Sequence, residues 1–173
     1  MESVHKNRIL ETERLALRKV TADDAEFILD LLNQPTFKQY IGDRGVRTLG
    51  QAREYIAARF TESYRTNGFG LYLMELKASA EAIGVCGFVS RPTLPHPDIG
   101  FALLPQFERK GYAYEAASAA MDYGRAMLGL GRVLAITTID NESSGRLLGK
   151  IGLEFERDIV IGDEKLKLFS TCP

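Results

Sequence analysis

The stretch of this 173-residue chain that carries the most chemistry is Asp98-Ile-Gly-Phe-Ala-Leu-Leu-Pro-Gln-Phe-Glu-Arg-Lys-Gly-Tyr-Ala-Tyr-Glu-Ala116. It reads as a strand, a short basic turn with a glycine, and a helix starting near Tyr112. A helix N-terminus presents unpaired amides and the positive end of the helix dipole, and both suit a phosphate. Gly111 permits close backbone approach and Arg109 and Lys110 add charge, so the turn Arg109 to Ala113 is a candidate pyrophosphate site. The plainer alternative, a tight turn with a solvated basic pair, would hold for an isolated Arg-Lys-Gly. Asp98 starts the strand, where a solvated strand-end carboxylate is the plain account.

Other chemistries find no pattern. The chain has no G-x-x-x-x-G-K-[ST], since Gly149-Lys150 is followed by Ile151. Gly129-Leu-Gly131 joins a helix to a strand, the reverse of a dinucleotide fingerprint, and is a helix stop. There is no G-x-S-x-G, and the two histidines, His5 and His96, fall in the N-terminal tail and a proline-rich loop, where solvated bystanders are expected. Cys86 and Cys172 lack C-x-x-C spacing, so neither a disulfide framework nor a metal site is expected.

The elements that would position these residues follow from periodicity and caps. Leu15 to Val20 is a first strand, and Thr21-Ala-Asp-Asp24 starts a helix with Phe27, Ile28, Leu31 and Leu32 on one face. Pro35 to Arg47 reads as a loop. A second helix follows, capped at Thr48-Leu-Gly-Gln51 and burying Ala52, Tyr55, Ile56 and Phe60. After the Asn67-Gly68 turn, Phe69 to Lys77, Ile83 to Ser90 and Asp98 to Leu104 form an antiparallel meander. Tyr114 to Leu128 is a helix whose Ala116, Ala120 and Gly124 make a small-residue stripe for close approach to a sheet. Val133 to Ile139 is a buried strand, and Ser143 to Ile151 a helix capped by Asn141 or Ser143. Ile159 to Ile161 and Lys165 to Phe169 close a hairpin around Gly162-Asp163. The order β-α-α-β-β-β-α-β-α-β-β gives a mixed α/β fold with a mostly antiparallel sheet. One βαβ crossover joins Asp98 to Leu104 with Val133 to Ile139, where ligands usually bind.

Composition sets the outer limits. One domain over 1–173 is expected at this length, and 45% hydrophobic, 26% charged and 9% aromatic residues exclude a disordered, collagenous or coiled-coil chain. With 22 basic against 23 acidic residues the formal charge is −1, so no global field would hold nucleic acid. The first twenty residues lack the apolar core of a secretory signal and no run suggests a membrane span, so a cytoplasmic protein is expected.

Jointly and in order, these residues resemble the GCN5-related N-acetyltransferase (GNAT) superfamily in its RimJ/RimL-like branch, over nearly the whole chain. The resemblance is carried by Thr12-Glu-Arg-Leu-Ala-Leu-Arg18 with Asp23-Asp24-Ala25, Ile83-Gly84 with Gly87, and Asp98-Ile-Gly-Phe101. Lys110-Gly-Tyr-Ala with Glu115-Ala116, and Asn141, Ser144, Arg146 and Lys150-Ile-Gly-Leu153, complete it. It implies a single domain whose middle strands splay to admit acetyl-CoA. The pantetheine arm would pair with Phe101 and Leu103 backbone groups, and the pyrophosphate would meet the amides of Arg109, Lys110, Gly111, Tyr112 and Ala113. Asn141 and Ser144 would approach pantetheine and thioester from the other strand, although helix capping by Asn141 and a satisfied Ser144 hydroxyl explain those residues equally. Two positions depart from the family: Glu108 stands where Gln or Arg is usual, and Leu148 where many relatives carry a tyrosine proposed to protonate the departing thiolate.

The implied reaction is direct attack of a neutral amine on the thioester, with no metal required. An α-amine, with a pKa of roughly 7.7 to 8.0 against about 10.4 for lysine, needs only weak base help. Asp98, for removing the amine proton through water or steering the cationic amine, and Ser144 are the catalytic candidates; Ser90, Tyr40 and Tyr72 are weaker candidates for the acceptor pocket. The expected acceptor is a protein N-terminus such as that of a ribosomal protein, with a polyamine or aminoglycoside as the alternative. A noncatalytic acyl-CoA-binding module is the reading from another class. No nucleic acid or membrane partner is expected, and a homodimer is admitted.

Overall fold

Alternating apolar residues build the sheet, and capped apolar stripes build the helices that cover it. In the computed structural model, which describes residues 7–171, eight strands form one sheet. They are β1 (Arg8–Glu11), β2 (Leu15–Lys19), β3 (Leu71–Leu76), β4 (Ala82–Val89), β5 (Asp98–Leu103), β6 (Leu134–Thr138), β7 (Leu153–Ile161) and β8 (Glu164–Thr171). Their order is β1-β2-β3-β4-β5-β6-β8-β7, antiparallel throughout except for the parallel pair β5 and β6.

Helices cover both faces. On one, α1 (Ala25–Leu32), α2 (Pro35–Tyr40) and α3 (49–67) pack Ile28, Leu31, Phe37, Ile56 and Phe60 against Leu73 and Val85. Helix α3 starts at Leu49–Tyr55 and continues through a π-helical Ile56–Thr61 into Glu62–Asn67. On the other face, α4 (Tyr112–Ala126) and α5 (Glu142–Lys150) pack Ala116, Ala120, Met121 and Leu148 against Leu17, Tyr72, Cys86 and Phe88. The small-residue stripe of α4 lies against the sheet as its spacing requires. A Cβ on Gly124 would stand 2.7 Å from Phe88 Cζ, so only glycine lets the helix axis approach that ring.

Part of the architecture departs from the sequence reading. Pro35 to Arg47 is not all loop: Pro35 occupies the first turn of α2, where its missing N–H costs nothing, and Phe37 is buried beneath it. A further strand, β1, precedes the predicted first one, so the sheet has eight strands rather than seven. Its four residues are too few for periodicity to reveal, and pairing with β2 creates it. Strand β7 begins at Leu153, six residues before the predicted Ile159, because residues 154–158 are exposed and all but Phe155 are charged, so their strand state comes from pairing with β8 rather than from an apolar alternation. His5 and Cys172 lie outside the described residues. Among those described, no helix is long and apolar enough to cross a membrane.

Candidate functional site

The defining feature is a wedge between β5 and β6. The two strands share one registered pair, Asp98↔Leu134, where Leu134 N–H donates to the Pro97 carbonyl at 2.9 Å. Beyond it β5 stays paired with β4 and β6 with β8, so the facing edges part. Leu104 N–H donates to the Ile83 carbonyl at 2.9 Å, and antiparallel alternation then turns the peptide groups of Phe101 and Leu103 toward the open edge. Thr171 N–H donates to the Val133 carbonyl at 3.0 Å, which by the same rule leaves Ile136 and Thr138 facing the wedge from β6. The Thr137 and Thr138 hydroxyls are buried and have no protein partner.

At the mouth of the wedge, a 3-10 turn at Pro105–Phe107 leads into the basic turn. Arg109 has φ +61 and Gly111 φ +82, so two left-handed residues flank Lys110 before α4 begins at Tyr112. For arginine that conformation costs roughly 1 kcal/mol or more and must be held by its surroundings. Arg109 and Lys110 are exposed and, among the described residues, in no ion pair. Glu108 is likewise exposed and turned to solvent.

A residue to which the sequence reading gave no role supports this turn from behind. Arg14, between β1 and β2, donates from Nη1 to the Lys110 carbonyl at 3.0 Å and from Nε to Glu115 Oε1 at 2.8 Å. Its guanidinium lies 4.3 Å from the Tyr112 ring centroid. Burial pushes the Glu115 carboxyl up, but hydrogen bonds from Thr12 and Arg14 outweigh it and hold the group below its usual range. No spacing rule links residues 101 positions apart, so only the fold reveals the pair.

Asp98 sits at the vertex with 1% exposure, which overturns the solvated-carboxylate account. Arg91 Nε donates to its Oδ1 at 3.0 Å. Burial pushes the carboxyl up to about 6 while the Arg91 charge and hydrogen bond pull it down. At the end of the β6 wall, Asn141 rather than Ser143 caps α5: its Oδ1 accepts from Ser144 N–H at 3.2 Å. Ser144 is half-buried, and Leu148 is 1% exposed within the core. The fold thus gathers Asp98, Phe101 and Leu103 on one wall, residues 109–113 at the mouth, and Asn141 and Ser144 beyond the other wall. Tyr72 lies apart in the core, stacked on Tyr64 at 5.8 Å; Ser90 is exposed after β4, and Tyr40 ends α2.

Leu134 also lines a groove of about 540 Å³ between the proline loop and the β6, β7 and β8 strands. Its apolar lining includes Leu134, Leu168 and Ile159, its charged lining is Arg132, Arg157 and Glu156, and the exposed His96 stands at its rim. Arg132 Nη2 and Glu156 Oε2 form an ion pair at 2.8 Å.

Comparison with known proteins gives a consistent result. The family model for the Acetyltransferase (GNAT) domain matches residues 14–154. The uncharacterized N-acetyltransferase YoaA of Bacillus subtilis (strain 168) is 34% identical over 149 residues, 86% of this chain and 84% of that relative. A solved acetyltransferase from Agrobacterium tumefaciens aligns with a TM-score of 0.80 at 25% identity, over 95% of this chain and 94% of the other. RimL, a ribosomal L7/L12 α-N-protein acetyltransferase solved in complex with coenzyme A, shares the fold with a TM-score of 0.80 at 17% identity, over 94% of this chain and 96% of its own.

Proposed function

The chain belongs to the GNAT acetyltransferase family, and from that premise we propose that it moves an acetyl group from acetyl-CoA to a primary amine, the N-terminal α-amine of a protein. The observation that carries the donor assignment is the wedge itself, with two unpaired peptide edges and a basic amide-lined turn at its mouth. A pantetheine arm ending in a pyrophosphate matches each of these.

Acetyl-CoA supplies the activated acyl carbonyl. The amides of Arg109 to Ala113, backed by the dipole of α4, bind the pyrophosphate, with Arg109 and Lys110 adding charge. The Phe101 and Leu103 peptide groups pair with the pantetheine arm, and Asn141 and Ser144 meet it from the β6 side. Asp98, ionised above a pH of about 6, takes up the amine proton through water, with Arg91 holding the carboxylate in place. Ser144 offers the hydroxyl donor at the departing sulfur, since Leu148 cannot.

The groove favours a peptide over a polycation. Its one carboxylate, Glu156, is already paired with Arg132, while Arg157 and His96 leave no acidic lining for a polyamine or aminoglycoside. The apolar floor suits a neutral N-terminal segment, in keeping with a RimJ/RimL-like branch and a ribosomal-protein acceptor. We place the activity in one domain over 1–173, in the cytoplasm, without nucleic acid or membrane partners and with a homodimer admitted. Release of free thiol from acetyl-CoA, measured against ribosomal-protein N-terminal peptides, spermidine and an aminoglycoside, tests this. The expected kcat/KM is about tenfold or more higher for a peptide, the cost of one unmatched charged contact. Preference for the polycations would reverse the acceptor assignment, and binding without thiol release from any amine would mark a noncatalytic module.

A further inference from the structure

We propose that Arg14 is a positioning residue for acetyl-CoA, holding the Lys110 carbonyl back from the pyrophosphate and screening the Glu115 carboxylate from it; this rests on the donor assignment above. An amide nest binds an anion only if its N–H groups converge and its carbonyls point elsewhere. Lys110 lies between left-handed Arg109 and Gly111, and rotation of the peptide between Lys110 and Gly111 would turn a carbonyl dipole onto the phosphate. Arg14 Nη1 takes that carbonyl from behind at 3.0 Å.

The rest of the guanidinium fixes its position. Nε donates to Glu115 Oε1 at 2.8 Å, the Arg14 backbone N–H donates to Glu115 Oε2 at 3.0 Å, and the Thr12 hydroxyl donates to the same oxygen. The plane lies 4.3 Å from the Tyr112 ring centroid, and Nη2 lies 3.2 Å from where a Cβ on Gly111 would stand. Each of these contacts ends on the turn or the first turn of α4. Glu115 there complements the helix dipole but also opposes an incoming anion, and Arg14 cancels that charge locally.

Two acetyl donors separate positioning from simple support of the fold. Acetyl-CoA carries the pyrophosphate and S-acetylpantetheine does not. Arg14→Ala and Arg14→Gln should lower kcat/KM for acetyl-CoA by about 10- to 100-fold through KM, with kcat within about twofold, as lost charge-assisted contacts to a substrate do. Both variants should leave kcat/KM for S-acetylpantetheine within about twofold of wild type, and Arg14→Lys, which keeps the charge without the fork, should recover part of the loss. Equal losses with both donors, or no loss with either, would overturn the proposal, and so would loss of the fold in all three Arg14 variants by circular dichroism, which would confine Arg14 to structural support. A wild-type protein that uses both donors equally well would instead remove the pyrophosphate site itself, whatever the Arg14 variants do.

Discussion

Asp98 and Arg91 close the proline loop on itself: a carboxylate 1% exposed at the junction of β5 and β6 receives the Arg91 guanidinium at 3.0 Å. The pair ties the end of one strand to the start of the next and fixes the vertex from which the wedge opens. Burial raises the Asp98 carboxyl to about 6, against the downward pull of the Arg91 charge and hydrogen bond.

The pH dependence follows from the direction of that shift. With a native pKa raised from 3.8 to about 6, the folded state holds the Asp98 proton more tightly than the unfolded chain does. Its contribution to stability is therefore fully present below 3.8 and is lost as pH rises through about 6. Asp98→Asn should remove this slope from melting temperature against pH. As the proposed base, Asp98 should also give kcat/KM an acidic limb near 6, and the variant should lose that limb and fall roughly 10- to 1,000-fold. Wild-type kinetics in Asp98→Asn at every pH would leave the pair a purely structural latch.

Asn141 is placed to do two jobs, and two substitutions pull them apart. Asn141→Ala removes the bond to Ser144 N–H and should cost about 0.5–2 kcal/mol, as lost N-caps do. Asn141→Ser restores a capping oxygen. If the amide also meets pantetheine, stability returns in the serine variant while KM for acetyl-CoA stays raised; recovery of both would confine Asn141 to capping.

Gly124 should tolerate no side chain. Phe88 is 0% exposed and cannot swing away from a methyl placed 2.7 Å from its ring, so Gly124→Ala should destabilise by about 1–3 kcal/mol despite alanine's better helix propensity. Chemical denaturation measures this, and a variant as stable as wild type would mean that α4 can move off the sheet.

Most of the candidate site was legible in the sequence because its parts are local. A strand, a turn with glycine and a helix start occur within Asp98 to Ala116, and the amides proposed to bind the pyrophosphate come from consecutive residues. The cap at Asn141 and the stripe Ala116, Ala120, Gly124 follow from fixed spacings. What stayed hidden depends on distant pairing. Arg14 meets Glu115 and Lys110 only after β1 and β2 form, Asp98 is buried only once Leu134 crosses beside it, and β1 and the start of β7 are strands because of their partners. Helix α2 is hidden because a Pro-initiated six-residue helix that runs into the glycine-bearing segment at Gly42 and Gly45 resembles a loop.

The account depends on the turn Arg109 to Ala113 gripping the pyrophosphate at the mouth of the wedge, and calorimetric titration of coenzyme A into wild type and Gly111→Val tests that most directly. Gly111 holds φ +82, which a β-branched residue rarely adopts, and a Cβ there would stand 3.2 Å from Arg14 Nη2, so valine both strains the turn and crowds the guanidinium that holds the Lys110 carbonyl. The predicted result is one binding event per wild-type chain and none in a variant that circular dichroism shows to be folded. Equal affinity in the folded variant would contradict the account and put the cofactor elsewhere.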